Sequence, residues 1–185
     1  MLFHLKLYPL RALFACLILT LLALTVRHFL PSPLPIRLTI HDVKIGALAV
    51  CVVILSDGLF HGLFWLTIGD WYRGRHRESC ETYRGQSLLG MLAGSLMAGV
   101  GEELIFRSLS LEWGFLIPSA IVFGLAHHLS RRLWFFTVWA TWQGMLFAIA
   151  LRVTGSLGVT MTAHFLHDLL GFLLIAFLLR RSDTG

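Results

Sequence analysis

The sequence predicts an all-α fold, a polytopic transmembrane helix bundle of about six helices, on three observations. First, 57% of the 185 residues are hydrophobic and only 14% are charged, with a mean hydropathy of +0.78. A soluble domain would carry nearer one-quarter charged residues. Second, the apolar residues form continuous runs close to the ~20 residues that cross a bilayer, not amphipathic stripes. Third, the charged residues collect between those runs. The formal net charge of +5 therefore reflects membrane topology and not a nucleic-acid partner.

The runs span residues 10–30, 43–68, 88–111, 113–128, 133–151 and 156–179. Lys6 and Arg11 before the first run resemble a signal peptide, but the run is long for one and no A-x-A site follows. It reads as an uncleaved first helix. "PSPLP" at 31–35 ends it, because proline fixes φ and removes a donor. The stretch "DWYRGRHRESCETYRGQS" at 70–87 reads as the one long polar loop. The fourth run is the shortest and contains Pro118. No internal repeat divides the chain, so 1–185 is expected to be a single integral membrane domain. Cys16, Cys51 and Cys80 form neither a disulfide framework nor a CxxC pair.

Charge asymmetry orients the bundle. Lys6, Arg11, Arg73, Arg75, Arg77, Arg84, Arg131, Arg132, Arg180 and Arg181 fall on one side, and only Arg27, Arg37, Lys44 and Arg152 on the other. Cytoplasmic loops collect Lys and Arg, so both termini are expected in the cytoplasm, in a bacterial or archaeal plasma membrane.

Within the runs stand Asp57, His61, Glu102, Glu103, Arg107, His127, His128, His164, His167 and Asp168. Ionisable side chains inside a membrane helix are costly, and by default they mark a site. Glu103 and Arg107 are four apart, acid first, and share a helix face. Glu102 is turned about 100° away and lacks that partner, which leaves it free to act as a base. His164 and Asp168 share a face on the last helix, where a carboxylate can hold an imidazole in one tautomer. At about 1.5 Å per residue, Glu102, His127 and His164 lie roughly 13, 14 and 12 Å from the same side of the membrane. Asp57 and His61 read as a polar clasp, and His128 and His167 as bystanders. The small residues of "GMLAGSLMAGVG" at 90–101 predict close helix packing beside Glu102.

A carboxylate and two histidines, with no serine or cysteine nucleophile in register, suggest hydrolysis by an activated water. Glu102 would be the general base with His127 beside it, and His164 would stabilise the oxyanion. Glu102, His127 and His164 are also competent zinc ligands. No HExxH helix is present, so zinc is disfavoured and no cofactor is expected.

At these residues a family resemblance emerges. "EELIFR" (102–107), "FGLAH" (123–127) and "HFLHD" (164–168) resemble the motifs EExxxR, FxxxH and HxxxN/D of the CAAX-protease and bacteriocin-processing (ABI) family of intramembrane endopeptidases. The similarity extends from Gly90 to Gly171, and it implies that 88–179 is the catalytic core. It implies a glutamate-dependent protease cutting near a substrate's C-terminus or within a membrane-embedded segment. Glu102 and His127 would activate water, His164 and Asp168 would stabilise the oxyanion, and Glu103 and Arg107 would support the site. Three features depart from the pattern. Ser108 follows the arginine where glycine is common, Asp168 replaces a frequent asparagine, and the short "SLSLEWGFLIP" replaces a basic connection. An ionised Asp168 cannot donate a hydrogen bond, so it would orient His164 or work protonated.

The expected partners are a membrane-associated protein or peptide substrate and the bilayer. A prenylated C-terminus, a leader or a C-terminal sorting signal would each suit; the depth of the site toward the outer side favours exported substrates. Two other classes compete, a non-catalytic immunity or scaffold protein and a small proton- or ion-coupled transporter. The complete set of Glu102, His127 and His164 speaks against the first. The lack of an inverted repeat with broken helices speaks against the second.

Overall fold

The computed structural model describes residues 2–29, 36–112, 115–128 and 130–182, and among these every regular element is helical. The helices are α1 (Leu2–His28), α2 (Ile40–Glu81), α3 (Leu88–Leu96), α4 (Glu103–Glu112), α5 (Leu116–Ala126), α6 (Trp134–Thr154) and α7 (Leu157–Ser182). A π-helical turn, Met97–Glu102, joins α3 to α4 without a break, and a 3₁₀ turn, Arg131–Leu133, precedes α6. Five spans are long and apolar enough to cross a membrane, with α3, the π-turn and part of α4 forming one of them. The chain is an integral membrane protein. The proline-rich break at 31–35 and the expected helix start at Trp113 lie outside the described residues.

Local chemistry explains the helix starts. Thr39 caps α2 through a capping box in which its hydroxyl accepts from the Asp42 N–H and the Asp42 carboxylate accepts from the Thr39 N–H. Ser87 caps α3 by accepting from the Gly90 N–H. The Asp42 carboxylate also accepts from the Ser156 hydroxyl at 2.6 Å, tying the start of α2 to that of α7.

These contacts define two ends of the bundle. At the end opposite Asp42, Arg132 lies 3.7 Å from Glu78 and Tyr83 packs on Phe172. Ala23, Leu104, Leu151 and Leu157 cluster toward the Asp42 end, while Cys16 Sγ lies 3.9 Å from the Leu96 carbonyl. Helix α1 therefore runs parallel to α3 and α4. Its start and the end of α7 lie at the same, arginine-rich end. Helix α5 has 11 residues, about 16 Å of rise, too short to cross alone. The expected fourth transmembrane helix is thus a half-span.

The polar stretch 70–87 is not the loop its composition predicts. Residues 70–81 are helical and belong to α2. His61 hydrogen-bonds the Tyr72 hydroxyl, and the His61 and His76 rings are 4.8 Å apart. In a straight helix, residues 11 and 15 positions apart would be separated by about 16 and 22 Å. The chain instead reverses at Gly69 (φ 47°, ψ −124°), a conformation open to glycine and strained for other residues. Burial of Tyr72 against Leu133 and Phe135 gives the returning arm an apolar anchor that sequence polarity conceals.

The small-residue stretch performs the packing expected of it. A Cβ at Gly99 would stand 2.7 Å from the Phe165 Cβ and 2.8 Å from the Met161 carbonyl, both on α7. Gly99→Ala is therefore expected to cost about 1–3 kcal/mol by overpacking, read by thermal unfolding in micelles.

Candidate active site

The π-turn places the adjacent glutamates on opposite tasks. It ends at Glu102, and the α-helix resumes at Glu103. Such turns insert an extra residue locally and recur at functional sites. Glu103 is completely buried and lies 3.2 Å from Arg107, itself 1% exposed. The guanidinium also donates to the Gly144 carbonyl at 3.3 Å and sits 4.3 Å above the Phe123 ring. One buried cation is thus balanced by a carboxylate, a carbonyl and an aromatic face.

Glu103 has a second partner. The His164 Nδ1–H donates to Glu103 Oε1 at 2.8 Å, and the ring stacks on Phe147 at 4.4 Å. The expected tautomer-holder, Asp168, stands 3.9 Å from Nε2 of His164, beyond hydrogen-bond reach. Glu103 orients this histidine because the π-turn brings α4 against α7; i,i+4 spacing on one helix does not reveal that contact.

Glu102 faces another way. It is 7% exposed, and its Oε2 lies 3.4 Å from His127 Nε2. His127 ends α5, where its Nδ1–H donates to the Phe123 carbonyl at 2.7 Å. That bond places a proton on Nδ1, so that in the neutral ring Nε2 is the acceptor and faces Glu102. Phe123 packs against both imidazoles, at 4.3 Å from His127 and 5.9 Å from His164. The structure therefore brings Glu102, Glu103, Arg107, His127 and His164 into one constellation, with Asp168 at its edge.

Glu102, His127, His164 and Asp168 line a cavity of about 860 Å³. It runs past Trp139 and Phe135 to Arg73, Arg77 and Tyr83, beneath the returning arm of α2. The cavity lining therefore reaches from Glu102 and His164 to the arginine-rich end, where the arm at 70–81 forms part of its wall.

Sequence reasoning missed two participants. Asp57 does not clasp His61; it accepts from the Trp139 indole at 2.9 Å and from the Gln143 amide. His167, expected to be a bystander, bridges Asp57 and Asp168 at 2.6 and 3.0 Å. Only the mutual approach of α2, α6 and α7 creates these bonds. His128 stays outside the site, bonded to the Thr137 hydroxyl. Among the described residues, no group of three or more His, Cys, Asp or Glu side chains is arranged to hold a metal ion.

With this geometry established, comparison with known proteins is informative. Residues 84–170 match the family model of the type II CAAX prenyl endopeptidases, Rce1-like. That segment, 87 of the 185 residues, is similar to the Rce1-like family. It contains all seven residues of the three motifs, from Glu102 to Asp168. The Rce1-like family is one of CAAX-type proteases, which agrees with the family resemblance of those motifs. No curated protein and no solved structure gives a significant match.

Proposed function

We propose that the chain is an intramembrane endopeptidase of the glutamate type, acting on a lipid-modified protein C-terminus. The observation that carries this reading is Glu102 facing the lone pair of His127 in a cavity that His164 also lines. A water held between Glu102 and His127 would lose a proton to Glu102 while His127 accepts its second hydrogen bond. The water oxygen then attacks the scissile carbonyl carbon. Nε2–H of His164 donates to the oxyanion that forms. With Nδ1–H committed to Glu103, that donor requires a second proton on the ring. Glu103 on one side and Asp168 on the other are the compensating charges. Collapse of the intermediate breaks the C–N bond, and Glu102 returns its proton to the departing amine.

The substrate reading combines the family with the cavity. Its aromatic walls suit an isoprenoid chain, and entry past Arg73 and Arg77, which line its far end, would bring the substrate from the membrane surface. Both termini and the arginine-lined end of the cavity would then be cytoplasmic, in keeping with the arginine asymmetry. The reaction is written without a metal.

The test uses the purified full chain in micelles with an internally quenched, farnesylated peptide ending in a CAAX-type sequence. Release of a short C-terminal peptide is expected, at least about tenfold faster than from the unlipidated peptide, since a buried lipid chain adds several kcal/mol of attraction. Chelators should leave the rate unchanged. Equal cleavage of both peptides would overturn the lipid specificity. Loss of activity with chelator and recovery with zinc would overturn the metal-free mechanism.

A further inference from the structure

The mechanism leaves one buried imidazole unused. His167 is 7% exposed and lies between two carboxylates, with Nδ1 3.0 Å from Asp168 Oδ1 and Nε2 2.6 Å from Asp57 Oδ2. The other Asp57 oxygen accepts from the Trp139 indole and the Gln143 amide. An indole only donates, so Asp57 is an acceptor pinned between α6 and α7. The remaining donor it faces is Nε2–H of His167. A proton on Nδ1 as well would find Asp168, so that a buried cation would have a carboxylate at each nitrogen.

From this geometry we infer that Asp57 is a positioning residue for the hydrolytic reaction. Through a doubly protonated His167 it holds Asp168 as an ionised carboxylate beside Nε2 of His164. The inference rests on the peptidase reading above. It also accounts for the aspartate at 168. An asparagine there could donate its amide to an oxyanion, which an ionised carboxylate cannot do. Asp168 contributes charge instead: it stands 3.9 Å from Nε2 of His164 and balances the second proton that makes His164 the donor. Without Asp57, the His167 ring has no partner at Nε2, and Asp168 loses the group that aims it.

Two measurements test the bridge. Nitrogen-15 NMR of histidine-labelled full-length protein in micelles reads the ring without any substrate, with His167 assigned by its loss in His167→Asn. Both nitrogens are expected to carry protons in the wild type, and only one in Asp57→Asn. A neutral His167 ring in the wild type would overturn the inference. Kinetics on the farnesylated peptide give the second readout. Asp57→Asn should lower kcat about tenfold with KM unchanged, yet add less than about twofold on an Asp168→Asn background, as residues acting through one another are non-additive. Asp57→Glu should recover part of the loss. A wild-type kcat in Asp57→Asn, or an undiminished loss on the Asp168→Asn background, would also overturn it. If Asp57→Asn does not accumulate, His167→Asn severs the same bridge while keeping one donor for Asp168, and the same fall in kcat is expected. The two readings fail separately: full activity in Glu102→Gln defeats the peptidase mechanism, while the NMR signature still decides the bridge.

Discussion

Glu102→Gln, folded and purified at wild-type yield, is expected to lose about 10²–10⁴ of the rate on a lipid-modified peptide, the usual contribution of a positioned general base. Glutamine keeps the size of the side chain and can still hydrogen-bond a water, but it cannot take its proton. Glu102 is 7% exposed and lies at 3.4 Å from His127. The carboxylate of Glu103, by contrast, is spent on Arg107 and His164. The substitution should therefore leave thermal stability near that of the wild type and lower kcat with little change in KM. His127→Gln should also be slow, and the double variant scarcely slower than Glu102→Gln, because the pair holds one water. A Glu102→Gln protein that processes substrate at the wild-type rate would sink the mechanism.

The largest expected effect on stability belongs to Arg107. Arg107→Met removes the cation from a carboxylate with no exposure at all, and breaking such a pair from one side costs about 3–5 kcal/mol. The lost packing of guanidinium on Phe123 adds to this. The expected readout is poor accumulation in the membrane and a markedly lower unfolding temperature in micelles. Pairing it with Glu103→Gln should restore a substantial part of the stability, since no unpaired charge is then left behind. Activity should not return, because His164 would still lack its carboxylate at Nδ1. Recovery of both together would show that Glu103 has no part in orienting His164.

These two residues also show how far the sequence reaches. Four-residue spacing on one helix was enough to pair Glu103 with Arg107 and to leave Glu102 unmatched, because helical periodicity operates within a single segment. The apolar runs determined the bundle for a similar reason: bilayer thickness imposes a length that composition reveals directly. The three motifs were legible as residue types at helical intervals, and the match over 84–170 covers the same stretch.

What required the tertiary structure was every relation between helices and every place where the backbone leaves the regular helix. Composition marks 70–87 as polar, but only the reversal at Gly69 folds 70–81 back along the bundle as the cavity's cover. His167 is one residue from Asp168 in sequence and lies 110 positions from Asp57, so its bridging role exists only once α2 and α7 meet. The same holds for Glu103 and His164, brought to 2.8 Å by the π-turn and by the packing of Gly99 on α7. Periodicity within a segment selects the residues that must be buried. The close approach of separate segments, set by steric fit and glycine placement, decides which of them touch.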